Sequence, residues 1–154
     1  MEKILDKLSN IIKNILTVLL IALVLVVSYI ALMRNAFSAS PAWGEAAALL
    51  IMVWFCLLSA ALGVRKNIHI RMTILDGVLK GKSINRLEHL TLILWMILGI
   101  LALIFGIRLT MLAGNNVITG IYLPASVIYS AVPVFGVIVF LSALEQEVKL
   151  CKQD

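Results

Sequence analysis

The sequence predicts an all-α integral membrane protein: four transmembrane helices, N-in and C-in, preceded by an amphipathic interfacial helix. Three observations predict it. Four apolar stretches, residues 15–33, 46–64, 90–107 and 127–144, contain no charged residue. Eleven of the thirteen Lys and Arg residues fall on one side of those stretches. The chain as a whole is 62% hydrophobic and only 14% charged.

At about 1.5 Å of rise per residue, each stretch covers most of a hydrocarbon layer roughly 30 Å thick. Lipid offers no partner for backbone N–H and C=O groups, so a spanning segment is a helix or a strand of a closed barrel. Continuous Leu, Ile, Val and Ala without alternation selects helices. The chain then divides into residues 1–14, a four-helix membrane domain over 15–144, and a cytoplasmic tail over 145–154.

Ahead of the first span, Ile4, Leu5, Leu8, Ile11, Ile12 and Ile15 recur at helical spacing. Lys3, Asp6, Lys7, Ser9, Asn10, Lys13 and Asn14 fall on the opposite side, which predicts a helix lying on the inner leaflet. A competing reading takes this end as a signal peptide, with small residues at Ala36-Phe37-Ser38-Ala39. The apolar run exceeds the roughly 7 to 15 residues of a signal core, which favours the span.

The loops set the orientation. Lys3, Lys7 and Lys13 precede the first span. Arg65, Lys66, Arg71, Lys80, Lys82 and Arg86 lie between the second and third, and Lys149 and Lys152 follow the fourth. Arg34 and Arg108 stand alone on the other side, which places both termini and the central loop in the cytoplasm. Basic residues beside anionic headgroups account for the net charge of +5, and nothing in the chain calls for nucleic acid. Cys56 falls in a span and Cys151 in the tail, without the spacing of a metal site.

A carrier normally keeps an ionisable group at membrane depth, and a haem-binding bundle needs facing histidines. The spans hold neither, since Glu45 stands at the outer boundary and His69 and His89 are expected in the cytoplasmic loop. The spans carry packing signals instead. Gly99, Ala102 and Gly106, and Ser59 with Gly63, make small-residue faces on which another helix can approach closely, within this chain or from another subunit. Trp54, at mid-span, prefers a protein acceptor for its indole N–H, which adds weight to contact with another subunit; the alternative is a Trp that faces lipid. Pro124 precedes the last span, and Pro133 within it removes the bond to the Tyr129 carbonyl, which predicts a kink that Ser126 or Ser130 partly compensates.

Taken in order, Trp43-x-Glu45, Trp54, Gly63-x-Arg65, His69-Ile70, Leu123-Pro124, Tyr129 and Pro133-x-x-Gly136 resemble the small membrane subunit of the TRAP (tripartite ATP-independent periplasmic) transporters. The resemblance covers most of the chain. Gly44 stands where that family often has a second acidic residue, and Asn67 and Thr73 replace the Gly and Asp expected around the histidine.

The resemblance implies a non-catalytic partner in the bacterial inner membrane. It would scaffold a large elevator-type subunit that holds substrate and sodium, while a periplasmic binding protein delivers an organic acid such as a C4-dicarboxylate or a sialic acid. No cofactor is expected in this chain, and sodium is expected at the large subunit. By position, Trp43 and Glu45 would mark the periplasmic end of the second span. Arg65, Lys66, His69 and Arg71 would form the cytoplasmic turn near lipid phosphate, and Pro124, Tyr129 and Pro133 would shape the last span. Two other functions fit four short spans: a small multidrug-resistance exporter, which predicts an intramembrane carboxylate, and a redox-enzyme anchor, which predicts axial histidines.

Overall fold

The computed structural model describes residues 2–38, 41–65, 82–114 and 116–150. Its long helices are α1 (Glu2–Phe37), α2 (Ala42–Arg65), α3 (Lys82–Ala113) and α5 (Ala131–Leu150); the single turn α4 (Ser126–Tyr129) directly precedes α5. The segments Lys7–Phe37, Ala42–Arg65, His89–Ala113 and Ser126–Val148 are each long and apolar enough to cross a membrane. The all-helical architecture with four span-length helices is the one the uncharged stretches predict.

The helices run past those stretches at both ends. Between Glu2 and Phe37 there is no Gly or Pro to break the hydrogen-bond ladder, so residues 2–14 and the first span form one uninterrupted helix. Along its first turns Lys7, Asn10, Lys13 and Asn14 are exposed and Ile12 is buried. Ser9, expected among the polar residues facing away, is instead buried. Ser38, with φ of 51°, turns the chain out of α1. Pro41 then stands immediately ahead of α2, where a missing N–H costs nothing, so α2 begins at Ala42 and takes Trp43 and Glu45 into its first turn. At the far end, α5 carries residues 145–150 as helix. His89, expected in a loop, lies within α3.

Among the described residues the long helices pack in a row rather than a ring. α1 packs along α2, α2 along α5, and α5 along α3, the last being the most extensive contact. The buried centre is correspondingly thin: Ala61 and Val64 of α2 meet Val139 of α5, with Trp95, Phe135 and Ile138 around them. Such an arrangement leaves many apolar side chains uncovered. Val18, Leu25 and Leu32 of α1 and Phe105 of α3 are each at least 60% exposed.

Candidate functional site

The seam between α3 and α5 is built from glycine. A Cβ placed on Gly99 would come within 3.0 Å of the Gly136 carbonyl oxygen and the Phe140 amide. A Cβ on Gly136 would lie 2.7 Å from the Gly99 carbonyl oxygen and 3.2 Å from the Ala102 carbonyl carbon. The two backbones therefore touch where neither residue has a side chain. Two turns along α3, Gly106 leaves room for the Pro133 ring, whose Cδ would be 2.8 Å from an added Cβ. The face predicted from Gly99, Ala102 and Gly106 thus meets the last span of the same chain.

The seam between α2 and the last span, made of α4 and α5, is fixed by polar bonds at two depths. In mid-span the Trp54 indole N–H donates to the Val127 carbonyl at 3.1 Å, so the acceptor it needs belongs to its own chain. That carbonyl also accepts the Ser130 hydroxyl at 2.8 Å. Here the last span is interrupted: Ser130 is a turn residue between α4 and α5, three positions before Pro133. The interruption falls one turn ahead of Pro133, whose missing N–H leaves the Tyr129 carbonyl without its helical partner, while the Ser130 hydroxyl serves the Val127 carbonyl instead.

The second fixing point lies at the ends of α2 and α5, on the side of the N-terminus. Arg65 Nε donates to Glu145 Oε2 at 3.2 Å, with side chains 12% and 6% exposed. The same guanidinium donates to the Ser9 hydroxyl of α1, which explains why Ser9 is buried. Gln146 Nε2 donates to the Val64 and Arg65 carbonyls at 2.8 and 3.0 Å, capping the C-terminus of α2 with a neighbour's side chain. His89 Nδ1 of α3 and Glu147 Oε1 stand 2.7 Å apart. At this level the Arg65 set joins α1, α2 and α5, and the His89–Glu147 pair joins α3 to α5. Arg65 was singled out in the sequence; Ser9, Glu145, Gln146 and Glu147 were not. The available signal was topological, because an even number of crossings separates Arg65 from Glu145 and puts the two charges on one side.

At the opposite ends, Tyr29 and Trp43 stack with centroids 5.9 Å apart. Gly44 permits the approach of α1, since a Cβ there would lie 2.7 Å from Ile30 Cγ1. Glu45 is exposed in the first turn of α2, where a carboxylate complements the helix dipole. Between α3 and α4 a small loop closes through an antiparallel bridge of Val117 with Pro124. Gly120, at φ of 100°, presses against Ala42: an added Cβ would stand 2.3 Å from the Ala42 carbonyl oxygen. Tyr129 is partly exposed on α4, Ser59 is exposed on α2 and Gly63 is half-buried. Lys66, His69 and Arg71 lie outside the described residues.

Among the described residues no group of three or more His, Cys, Asp and Glu could hold a metal ion. What the arrangement offers is a braced layer with wide apolar faces. Such a layer of four span-length helices defines a class, a multi-pass membrane protein. The chain belongs to the DctQ family, "Tripartite ATP-independent periplasmic transporters, DctQ component", whose model matches residues 4–153. It is a small-subunit component of a TRAP transporter, and membership implies a large membrane subunit and a binding protein as partners. No curated protein matches it.

Proposed function

We propose that this chain is the non-catalytic, stationary membrane subunit of a sodium-coupled transporter for organic acids in a bacterial inner membrane. It holds the large elevator-type subunit in place and helps dock the periplasmic binding protein. The observation that carries the proposal is the row α1–α2–α5–α3, braced internally at both ends and exposing apolar side chains along each helix. A moving subunit needs a neighbour that does not move with it, and a row covers more of a partner's flank than a bundle of the same four helices.

The composition of the spans supports the same reading. They hold no Asp, Glu, Lys, Arg or His within residues 15–33, 46–64, 90–107 or 127–144, so the charged groups that bind substrate and sodium belong on another chain. The lysines and arginines on the N-terminal side orient the row with both termini in the cytoplasm. Lys7, Lys13 and the exposed polar residues near them then lie at the inner headgroups, and Trp43 with Glu45 at the outer surface.

Reconstitution tests the proposal. Proteoliposomes holding both membrane subunits, supplied with binding protein and an inward sodium gradient, are expected to accumulate the organic acid; proteoliposomes with this chain alone are expected not to. Uptake by this chain alone would overturn the scaffold role, and uptake indifferent to sodium would overturn the coupling.

A further inference from the structure

A groove of about 570 Å³ runs between α1, α2 and α4 in the half of the layer nearest the α1–α2 turn. Its walls include Leu23 and Val27 of α1, Ala48, Leu49 and Met52 of α2, and Tyr129 of α4. The groove is open along one side, and apart from the Tyr129 hydroxyl its walls carry no polar side-chain group.

Helical phase fixes what stands above it. Arg34 follows Val27 by seven residues, so it lies on the same face of α1 about 10 Å nearer the membrane surface. Glu45 precedes Met52 by seven residues and lies over the groove on α2 in the same way. Both are exposed. Tyr29 and Trp43 fall on the other side of the α1–α2 contact, where their stacked rings close the seam. The groove therefore opens to one side, with a cation and an anion at its mouth.

We propose that this groove is a binding site for one zwitterionic phospholipid of the phosphatidylethanolamine type. An acyl chain lies along Val27, Met52 and Tyr129, where each buried methylene adds to affinity. The headgroup phosphate meets Arg34, and its primary ammonium meets Glu45. The paired charges are the reason to name a phospholipid rather than a partner helix: a transmembrane helix would fill the apolar walls and leave both charges unused. The site is independent of which side of the membrane the turn faces.

The test is native mass spectrometry of the full chain, extracted in mild detergent and offered palmitoyl-oleoyl phosphatidylethanolamine or phosphatidylglycerol. One phosphatidylethanolamine is expected to remain bound, preferred about five-fold, the size of one charged contact at a membrane surface. Glu45→Gln should keep phospholipid binding but abolish the preference, and Arg34→Gln should weaken both lipids. Met52→Trp, which fills the groove, should release the lipid; Leu49→Trp does the same from an adjacent position if the first variant does not fold. Retention unchanged in a folded Trp variant, or indifferent to both charge variants, would overturn the proposal. A photo-crosslinker at position 52 in the assembled transporter is expected to label lipid, and labelling of the large subunit instead would give the groove to a protein helix.

Discussion

Arg65 and Glu145, eighty residues apart in sequence, meet at 3.2 Å with almost no solvent around them. Each comes from a helix end on the same side of the row, and each is also tied to its surroundings: Arg65 reaches Ser9, and Gln146, beside Glu145, caps α2. A buried pair of this kind is held against a large desolvation penalty.

Removing one member should therefore cost more than removing both. Arg65→Met leaves the Glu145 carboxylate buried and is expected to destabilise the folded chain by about 3–5 kcal/mol, as is Glu145→Leu. The double variant should recover a large part of that loss. Thermal unfolding of the four proteins in one detergent, followed by circular dichroism, measures the cycle, and additive losses would refute the coupling.

The contact between Gly99 and Gly136 makes a steric prediction. With the opposing backbone 2.7–3.0 Å from an added Cβ, no side chain can give way. Gly136→Ala and Gly99→Ala should each destabilise the chain by about 1–3 kcal/mol, the range for overpacking a close interface, with Gly136→Val at least as damaging. Resistance to unfolding by sodium dodecyl sulfate reports the loss. A neutral Gly136→Val would mean that α3 and α5 are not in backbone contact there.

Trp54 separates packing from polar bonding. Trp54→Phe keeps most of the ring and loses the bond to the Val127 carbonyl, which Ser130 still satisfies. The expected cost is correspondingly modest, about 0.6 and at most about 1.7 kcal/mol, as found for polar bonds between membrane helices. Trp54→Ala also opens a cavity and should cost about 3–5 kcal/mol. If the two variants were equally unstable, the hydrogen bond would carry the whole effect.

The spans were legible because an uncharged run of eighteen residues has few other uses in a protein. Their ends were not, because the helices continue through residues chosen for partners far along the chain. Ser9 belongs to the polar set of its helix by local periodicity, yet Arg65 from α2 draws it inward. Glu145 follows an apolar run and reads as the start of a tail until that same arginine is placed beside it. The face of Gly99 and Gly106 was legible as a face, but its opposite number was not, since spacing within a helix says nothing about which helix covers it. Gly44 was noticed only as a missing acid; its use is to admit Ile30, a contact across the first turn of the chain.

The row has a mechanical consequence. In a ring each helix is held by two neighbours, whereas here α1 and α3 hang from the ends and every load passes through the seams one after another. Compliances in series add, so the stiffness of the whole panel is close to that of its softest joint. Reinforcing the glycine seam between α3 and α5 would do little to steady the panel if the α1–α2 seam, held by Tyr29–Trp43 and Ser9–Arg65, gave way first.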